Sequence, residues 1–332
     1  MVRTPVTVIG GFLGAGKTTL LNHLLRHTDQ RLAVLVNDFG EINIDAELIA
    51  SHDGNTVNLS NGCICCSIGD SLVEALIGVM QQAERPEHIV IEASGVADPA
   101  RIAELATLDA SLELNAVVVL ADAPRLPDLV RDKYVGDVVE QQLQSADLII
   151  MNKIDRLSAI DRRDATEVLL RLAPDARVIE AVNASVPGEL VLDAGRDLDA
   201  LATAPPSPGT GSGCHGPDCN DPDHHHDHHG HDHDRRHANL FATCTLSADK
   251  PVPRAALARF LDGLPKDVLR LKGLVLTDEN PSRPMLLQMV GRRWTLDADH
   301  RLDVAPKTRL VAIAVAAEFD AADLQRGFAA LQ

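Results

Sequence analysis

Short apolar runs recur along the first half of the chain and predict buried β-strands. They are VTVIG (6–10), LAVLVND (32–38), HIVIEAS (88–94), NAVVVLAD (115–122) and ADLIIMNK (146–153). Their Val and Ile residues do not alternate with polar residues, which is typical of strands that are covered on both faces. Helical patterns separate most of these runs, as in TTLLNHLLRH (18–27), where leucines recur at helical spacing. The pattern predicts an α/β domain with a mainly parallel, doubly wound sheet.

A second pattern of apolar and polar positions begins near Asn239. The segments NLFATCTL, DVLRLKGLVL, MLLQMVG and RLVAIAV predict strands, whereas AALARFLDGL and AADLQRGFAAL predict helices. This mixture predicts a small C-terminal α+β domain.

Between the two patterns the composition changes abruptly. APPSPGTGSG is rich in Pro, Gly and Ser, and the later HHHDHHGHDHD is almost purely His and Asp. Such a segment cannot bury a core and is typical of a flexible linker. We therefore expect a first domain over residues 1–202, a linker over 203–238 and a second domain over 239–332.

The net charge argues against one class of partner. It is formally −17, whereas nucleic-acid binders obtain much of their affinity from Lys and Arg contacts to phosphates. The chain also holds only one Trp, one Tyr and six Phe residues, too few for a base-stacking platform. We expect a small molecule or a protein as partner, and no nucleic acid.

Residues 11–18, GFLGAGKT, fit the pattern GxxxxGK[ST] between a predicted strand and a predicted helix. In such a phosphate-binding loop the glycines let the backbone curl around phosphates, Lys17 reaches the β and γ oxygens, and the Thr18 hydroxyl ligates Mg²⁺. The predicted nucleotide contacts of this segment are Gly11, Phe12, Leu13, Gly14, Ala15, Gly16, Lys17, Thr18 and Thr19.

The apolar N-terminal run flows directly into this loop, so we do not interpret it as a cleaved signal peptide. No apolar run reaches the roughly 18 residues that would span a bilayer. We expect no membrane segment and a cytoplasmic location, where thiols stay reduced.

Two further segments extend the predicted nucleotide site. HIVIEASG ends a strand with Glu92, a carboxylate that can hold Mg²⁺ through water, and the Gly95 amide could contact the γ-phosphate. With Lys17 and Thr18, Glu92 is our candidate catalytic residue; the alternative for this segment is an ordinary turn at a strand end.

The sequence NKID, residues 152–155, follows the strand DLIIM. There Asp155 can accept hydrogen bonds from the ring N–H and the exocyclic amine of guanine, which adenine does not offer. We predict that Asp155 reads the base of GTP and that Asn152 and Lys153 belong to the same nucleotide site; the alternative is that Asp155 only caps a helix.

Three of the six cysteines crowd into NGCICCS, at Cys63, Cys65 and Cys66. Neighbouring Cα atoms lie about 3.8 Å apart, below the usual span of a disulfide. Clustered thiolates suit Zn²⁺ or a comparable transition ion, and three sulfurs leave a tetrahedral ion one ligand short. An open position is what a site that hands its metal onward needs. The alternatives are an inert buried cluster or a redox switch.

These motifs together resemble a known family. GGFLGAGKTTLL, NDFGEINID, NGCICCSI, IEASGVADP, NKID and the later RLKG are similar to the CobW-type P-loop GTPases that act as metallochaperones. The resemblance implies a GTPase domain, a CobW-type C-terminal domain, GTP with Mg²⁺, and delivery of zinc or cobalt to a client metalloprotein. It also implies that Cys63, Cys65 and Cys66 ligate the metal. Asp38 and Glu41 fall where acids of the family's switch segment lie.

A histidine tract forms a second candidate metal site. Its members are His224, His225, His226, His228, His229, His231 and His233, preceded by Cys214, His215 and Cys219. Neutral imidazoles bind Zn²⁺, Co²⁺, Ni²⁺ or Cu²⁺, and the interleaved aspartates raise the local concentration of cations. We interpret the tract as a flexible metal collector; the alternative is a solvated linker.

The leading hypothesis is a GTP-dependent metallochaperone, with zinc favoured and cobalt possible as cargo. GTP would order the switch segments, the thiolates would take up a metal ion, and hydrolysis would loosen the site. No glutamine or arginine can be assigned to water activation, so we expect slow intrinsic hydrolysis. The competing hypotheses are a histidine-rich metal buffer with a regulatory GTP domain, a cobalt chaperone for cobalamin synthesis, and a redox-regulated GTPase.

Overall fold

The structure is a computed structural model and describes residues 3–36, 57–58, 68–192, 240–298, 307–317 and 319–332. The chain divides into two compact units. The N-terminal unit holds Met1–Arg196 with Val290–Arg293, and the C-terminal unit holds Asp197–Met289 with Trp294–Gln332.

The N-terminal unit is built on a seven-stranded sheet with the order β3-β2-β4-β1-β5-β6-β7. Its strands are β1 (Thr4–Gly11), β2 (Leu32–Val36), β3 (Val57–Asn58), β4 (His88–Glu92), β5 (Leu112–Asp122), β6 (Leu148–Asn152) and β7 (Arg177–Ala181). All six neighbouring pairs are parallel. Strands β1, β4 and β6 are buried along their whole length, which explains why their sequences are mainly apolar and do not alternate with polar residues. The predicted parallel, doubly wound sheet is confirmed.

Helices connect these strands. They are α1 (Lys17–Arg26), α2 (Ile68–Met80), α3 (Pro99–Ala106), α4 (Leu126–Arg131), α5 (Gly136–Gln144), α6 (Ala159–Leu172) and α7 (Gly188–Val191), with a 3₁₀ turn at Ile154–Arg156. Helix α3 begins where its sequence directs it to, because Asp98 accepts a hydrogen bond from the Ala100 amide and proline occupies the next position. The leucines of α1 are buried on one face, as their spacing predicts.

The strand order places β1 at the middle of the sheet. The chain first builds β2, β3 and β4 on one side of β1 and then β5, β6 and β7 on the other side. In open α/β sheets, ligands bind outside the carboxyl ends of the strands at such a reversal. The segment GFLGAGKT, which begins at the last residue of β1, therefore lies where this fold binds ligands.

The C-terminal unit has a five-stranded sheet with the order β11-β10-β9-β12-β8. Its elements are β8 (Phe241–Ala248), α8 (Arg254–Asp262), β9 (Val268–Thr277), β10 (Asn280–Val290), β11 (Arg293–Asp297), β12 (Thr308–Val315) and α9 (Ala321–Ala329). Strand β12 is antiparallel to both β8 and β9. Leu257 and Leu261 of α8 and Leu324 and Phe328 of α9 join the strands in one apolar core. This confirms the predicted small α+β domain.

The described residues contain no helix that is both long enough and apolar enough to cross a bilayer.

Candidate functional site

The segment after β1 follows a backbone path that requires glycine. Gly11, Gly14 and Gly16 have φ angles of 130°, 78° and 110°, values that residues with side chains rarely adopt. At Gly16 there is also no space, because a Cβ atom would lie 2.5 Å from Asn152 Nδ2. Gly16 is the N-cap of α1. The sequence pattern GxxxxGK therefore matches a tight loop that delivers the chain into a helix N-terminus.

Lys17 turns its side chain back into this loop. Its Nζ donates hydrogen bonds to Gly11 O at 2.9 Å and to Phe12 O at 3.4 Å, and the residue is only 8% exposed. The loop is closed by the Ala15 amide, which donates to Phe12 O at 3.1 Å. A fixed positive charge thus lies within the loop at the start of α1, where the helix dipole also favours anions.

Thr18 and Glu92 meet at the mouth of the loop. Thr18 Oγ1 donates a hydrogen bond to Glu92 Oε1 at 3.1 Å, and Glu92 is 2% exposed at the end of β4. Thr19, the next residue of α1, is exposed. A hydroxyl beside a carboxylate is a set of hard oxygen ligands of the kind that Mg²⁺ prefers. The two predicted metal-binding oxygens are therefore brought together.

The loop after β4 lies directly against the phosphate loop. A Cβ atom on Gly95 would lie 2.6 Å from Leu13 Cδ2 and 3.0 Å from Leu13 N. Gly95 is buried, whereas Leu13 is 57% exposed. Glycine at position 95 therefore permits a close approach of two loops that the sequence assigned to the same nucleotide.

Asn152 braces the phosphate loop from the neighbouring strand. It is 2% exposed at the end of β6. Its Nδ2 donates to Ala15 O at 2.9 Å, and its Oδ1 accepts from the Ala184 amide at 2.8 Å. Asn152 thus ties the phosphate loop to the segment after β7.

Lys153 makes a second brace. Its backbone is left-handed, with φ of 64°, and its Nζ donates to Gly14 O at 2.6 Å and to Asp122 Oδ2 at 2.7 Å. Asp155, in the following 3₁₀ turn, is exposed. Of the NKID side chains, Asp155 is the one that is open to a base arriving from solvent.

Two contributors to this site were missed by the sequence analysis. Asp122, at the end of β5 and 5% exposed, is the ion-pair partner of Lys153. Ala184 offers its amide to Asn152, with φ of 52° in its own backbone. Neither belongs to a recognisable motif. The only available signal was their place at or just after the ends of strands that finish at the same edge of the sheet as β1.

The predicted ligands of the transition metal are not among the described residues. Cys63, Cys65 and Cys66 lie outside them, as do Asp38 and Glu41. The histidine tract at 224–233, with Cys214, His215 and Cys219, also lies outside. In the part of the chain that the structure describes, no group of three or more His, Cys, Asp or Glu residues could hold a metal ion.

The cysteine motif is nevertheless bracketed by described elements. Strand β3 precedes it in the chain and α2 follows it. Strand β3 pairs in parallel with β2, which pairs in parallel with β4, so all three strands end at the edge that carries Glu92. The chain therefore leaves the sheet toward Cys63 from the same edge as the nucleotide loops.

Cys244 is the one cysteine among the described residues, and its setting does not suit a metal ligand. It lies 5% exposed in the core of the C-terminal unit. Burial raises the pKa of its thiol, against a smaller lowering by Gln325. Because a metal ligand must be the thiolate, Cys244 is better suited to packing.

The sequence is similar to known proteins over both units. Residues 5–180 match the family described as CobW/HypB/UreG, nucleotide-binding domain, and residues 241–332 match the cobalamin synthesis protein cobW C-terminal domain. The chain is 30% identical over 345 residues to a protein of Sinorhizobium sp named zinc chaperone CobW, with 94% of this chain and 92% of that protein covered.

Another protein named zinc chaperone CobW, from Pseudomonas aeruginosa, is 30% identical over 351 residues, covering 94% of this chain and 88% of its own. The crystal structure of Zn(II)-bound YjiA GTPase from E. coli aligns over 100% of both chains, with 21% identity and a TM-score of 0.39. The family matches and these two CobW relatives are consistent with the glycine-rich loop that follows the central strand of the parallel sheet. The chain belongs to the CobW/HypB/UreG family of P-loop GTPases.

Proposed function

We propose that the protein is a GTP-hydrolysing metallochaperone, which binds a transition metal ion at Cys63, Cys65 and Cys66 and transfers it to a client metalloprotein. The observation that carries the proposal is the contact of Thr18 with Glu92, 3.1 Å apart at the mouth of the phosphate loop. The contact joins the phosphate loop after β1 to the segment HIVIEASG at the end of β4. Strand β3, which precedes the cysteines in the chain, ends at the same edge of the sheet. The zinc cargo is supported by the names of two full-length relatives.

In this proposal the phosphates of GTP lie in the curve of the loop at residues 11–18. Lys17 exchanges its contacts with Gly11 O and Phe12 O for phosphate oxygens, and the amides at the start of α1 donate to the same anion. Thr18 and Glu92 would hold Mg²⁺, which neutralises charge on the phosphates when bound. The Gly95 amide binds the γ-phosphate and thereby distinguishes GTP from GDP.

The base is selected by Asp155. Its carboxylate accepts hydrogen bonds from the ring N–H and the amine of guanine, whereas adenine would leave it unpaired. The amide of Asn152 is already engaged with Ala15 O and the Ala184 amide. We therefore assign Asn152 and Lys153 to holding the loop around the nucleotide, and Asp155 to reading the base.

The cargo is held by the three thiolates of the CxCC motif. Thiolates are soft ligands that favour zinc over harder cations, and cobalt is the second candidate. Three sulfurs leave one position of a tetrahedral ion open, so a ligand from the client can enter before the metal leaves. The histidine tract would collect ions for this site.

The metal-binding assignment is tested with zinc competition against a coloured chelator. Replacing Cys63, Cys65 and Cys66 by serine is expected to weaken the tightest site by at least about 100-fold, because serine hydroxyls do not replace thiolates as zinc ligands. Deleting residues 214–237 is expected to lower the number of weakly held ions and to leave the tight site intact.

The matched control is Cys244→Ala, which removes a thiol that lies in the core of the C-terminal unit and should leave zinc binding unchanged. If the deletion abolishes tight binding while the triple serine variant retains it, the protein is a histidine buffer and not a CxCC chaperone.

A further inference from the structure

Gln142 is a buried polar side chain that none of the nucleotide motifs contains. It lies on α5, is 2% exposed, and points its amide at the loop after β4. Its Nε2 donates to Ala97 O at 2.8 Å and to Gly95 O at 3.2 Å. One amide group thus uses both of its protons on two carbonyls of the loop that approaches the phosphates.

The loop needs such an anchor. Glycine at position 95 allows the close approach to the phosphate loop, since a Cβ atom would lie 2.6 Å from Leu13 Cδ2 and 3.0 Å from Leu13 N. Glycine, however, is the residue with the greatest backbone freedom, so its ordering is the most expensive in entropy. A hydrogen bond to Gly95 O fixes the peptide plane that follows this glycine and restricts the freedom that its small size creates.

Neighbouring contacts hold the two ends of the same loop. At its start, the Ala93 amide donates to Ile9 O at 2.9 Å. At its end, Asp98 accepts from the Ala100 amide at 2.9 Å and from Gln141 Nε2 at 2.8 Å. Between these ends, the Gln142 side chain holds the backbone in place through its hydrogen bonds to Gly95 O and Ala97 O.

We infer that Gln142 is a positioning residue that presets the Gly95 loop for the γ-phosphate. The inference rests on the proposed function, in which the Gly95 amide binds that phosphate. A loop that is already in place binds GTP without a further ordering cost, whereas GDP does not reach it. Gln142 therefore contributes to the affinity for GTP and to the rate of hydrolysis, and contributes little to the affinity for GDP.

The test compares two variants of the same helix. Gln142→Met keeps the length of the side chain and removes both donated hydrogen bonds. Gln144→Met is the matched control, because Gln144 is exposed and donates only to Glu140 Oε1, one helical turn away, at 3.0 Å. Affinities for GDP and for a non-hydrolysable GTP analogue are measured by calorimetry in the full-length proteins.

We expect Gln142→Met to lower the ratio of GTP-analogue to GDP affinity by about tenfold, which corresponds to about 1.4 kcal/mol, because the loop at Gly95 loses the hydrogen bonds that order it. The control should keep the ratio of the wild type. A purely structural role would lower both affinities and the melting temperature together, with the ratio unchanged, and that result would overturn the inference.

If Gln142→Met folds poorly, a second variant and a measurement on the wild type still test the inference. Gln142→Glu has the same shape but, when ionised, no donor; lowering the pH should protonate it and restore part of the ratio. In the GDP-bound wild type, the Ala93 amide, which donates to Ile9 O, and the Ala97 amide, which donates to Ser94 O at 3.0 Å, should exchange slowly with solvent. Exchange of these two amides at the rate of an unfolded peptide would show that the loop is not preset.

Two results distinguish a failure of the proposed function from a failure of the inference about Gln142. If the wild type binds the GTP analogue and GDP equally well, the γ-phosphate role of Gly95 is wrong, and the inference falls with it. If the wild type discriminates and Gln142→Met behaves as Gln144→Met does, only the inference about Gln142 is wrong.

Discussion

Replacing Lys17 by methionine is expected to weaken the binding of both GTP and GDP by about 100-fold or more. The Lys17 ammonium lies inside the phosphate loop, 2.9 Å from Gly11 O, and methionine retains most of its apolar stem while removing the charge. A hydrogen bond to a charged group contributes about 1.5–3 kcal/mol, and a tenfold change in affinity corresponds to about 1.4 kcal/mol. Calorimetric titration with each nucleotide in the presence of Mg²⁺ measures the effect.

Lys133→Met is the control for the loss of a positive charge. Lys133 is exposed and lies over the ring of Tyr134, 4.5 Å from its centroid, and is not part of the phosphate loop. Its replacement should leave both affinities unchanged. Wild-type affinities in a folded Lys17→Met variant would mean that the nucleotide does not use this loop.

Replacing Gly273 by alanine is expected to destabilise the C-terminal unit by more than about 3 kcal/mol, as left-handed strain and overpacking each cost about 1–3 kcal/mol. Gly273 has φ of 150° in β9, where it is paired with Leu310 of β12. A Cβ atom there would lie 2.1 Å from Arg309 O and 2.8 Å from Leu310 Cα. These are backbone atoms of the neighbouring strand, so no side-chain rotation relieves the clash.

Thermal unfolding followed by circular dichroism measures this effect. Gly78→Ala is the control, because Gly78 lies in α2 and, apart from its own helix backbone, a Cβ atom there would meet no described heavy atom within 4 Å. In a helix, that change should be neutral or should stabilise by up to about 1 kcal/mol. Equal melting temperatures for the two variants would contradict the packing role assigned to Gly273.

This role also explains part of the motif RLKG, which the resemblance contained and which sequence reasoning alone did not explain. Glycine is required at this position because β9 pairs with β12, a contact between distant parts of the chain. A local pattern cannot reveal such a register. All ten residues of β9, including Arg270 and Lys272, are buried, although the motif reads as half polar.

Much of the fold is predictable from sequence because a strand that is buried on both faces appears in the sequence as a continuous apolar run. Strand β6 and most of β5 are covered on both faces, and their apolar runs predict them within a few residues. Strand β7 was not predicted. It lies at the edge of the sheet and alternates buried with half-buried residues over Arg177–Ala181, so its signal is weaker.

The candidate site is predictable where several residues that contact the ligand are consecutive in the sequence and so form a recognisable motif. GFLGAGKT and NKID are such runs, and the structure brings both to the end of β1. Asp122 and Ala184 contact NKID through space, and Gln142 contacts the loop after β4, each from a different part of the chain. Each is a single ordinary residue, so only the fold identifies them.

The central claim is that the nucleotide sets how tightly the CxCC motif holds its metal. It is tested by titrating Zn²⁺ into the protein loaded with GDP and into the protein loaded with a non-hydrolysable GTP analogue. We expect tighter binding in the GTP-analogue form by at least about fivefold, the lower end of typical coupling between two sites. The difference should vanish when Cys63, Cys65 and Cys66 are replaced by serine. Equal zinc affinity in the two nucleotide states of the wild type would contradict the account.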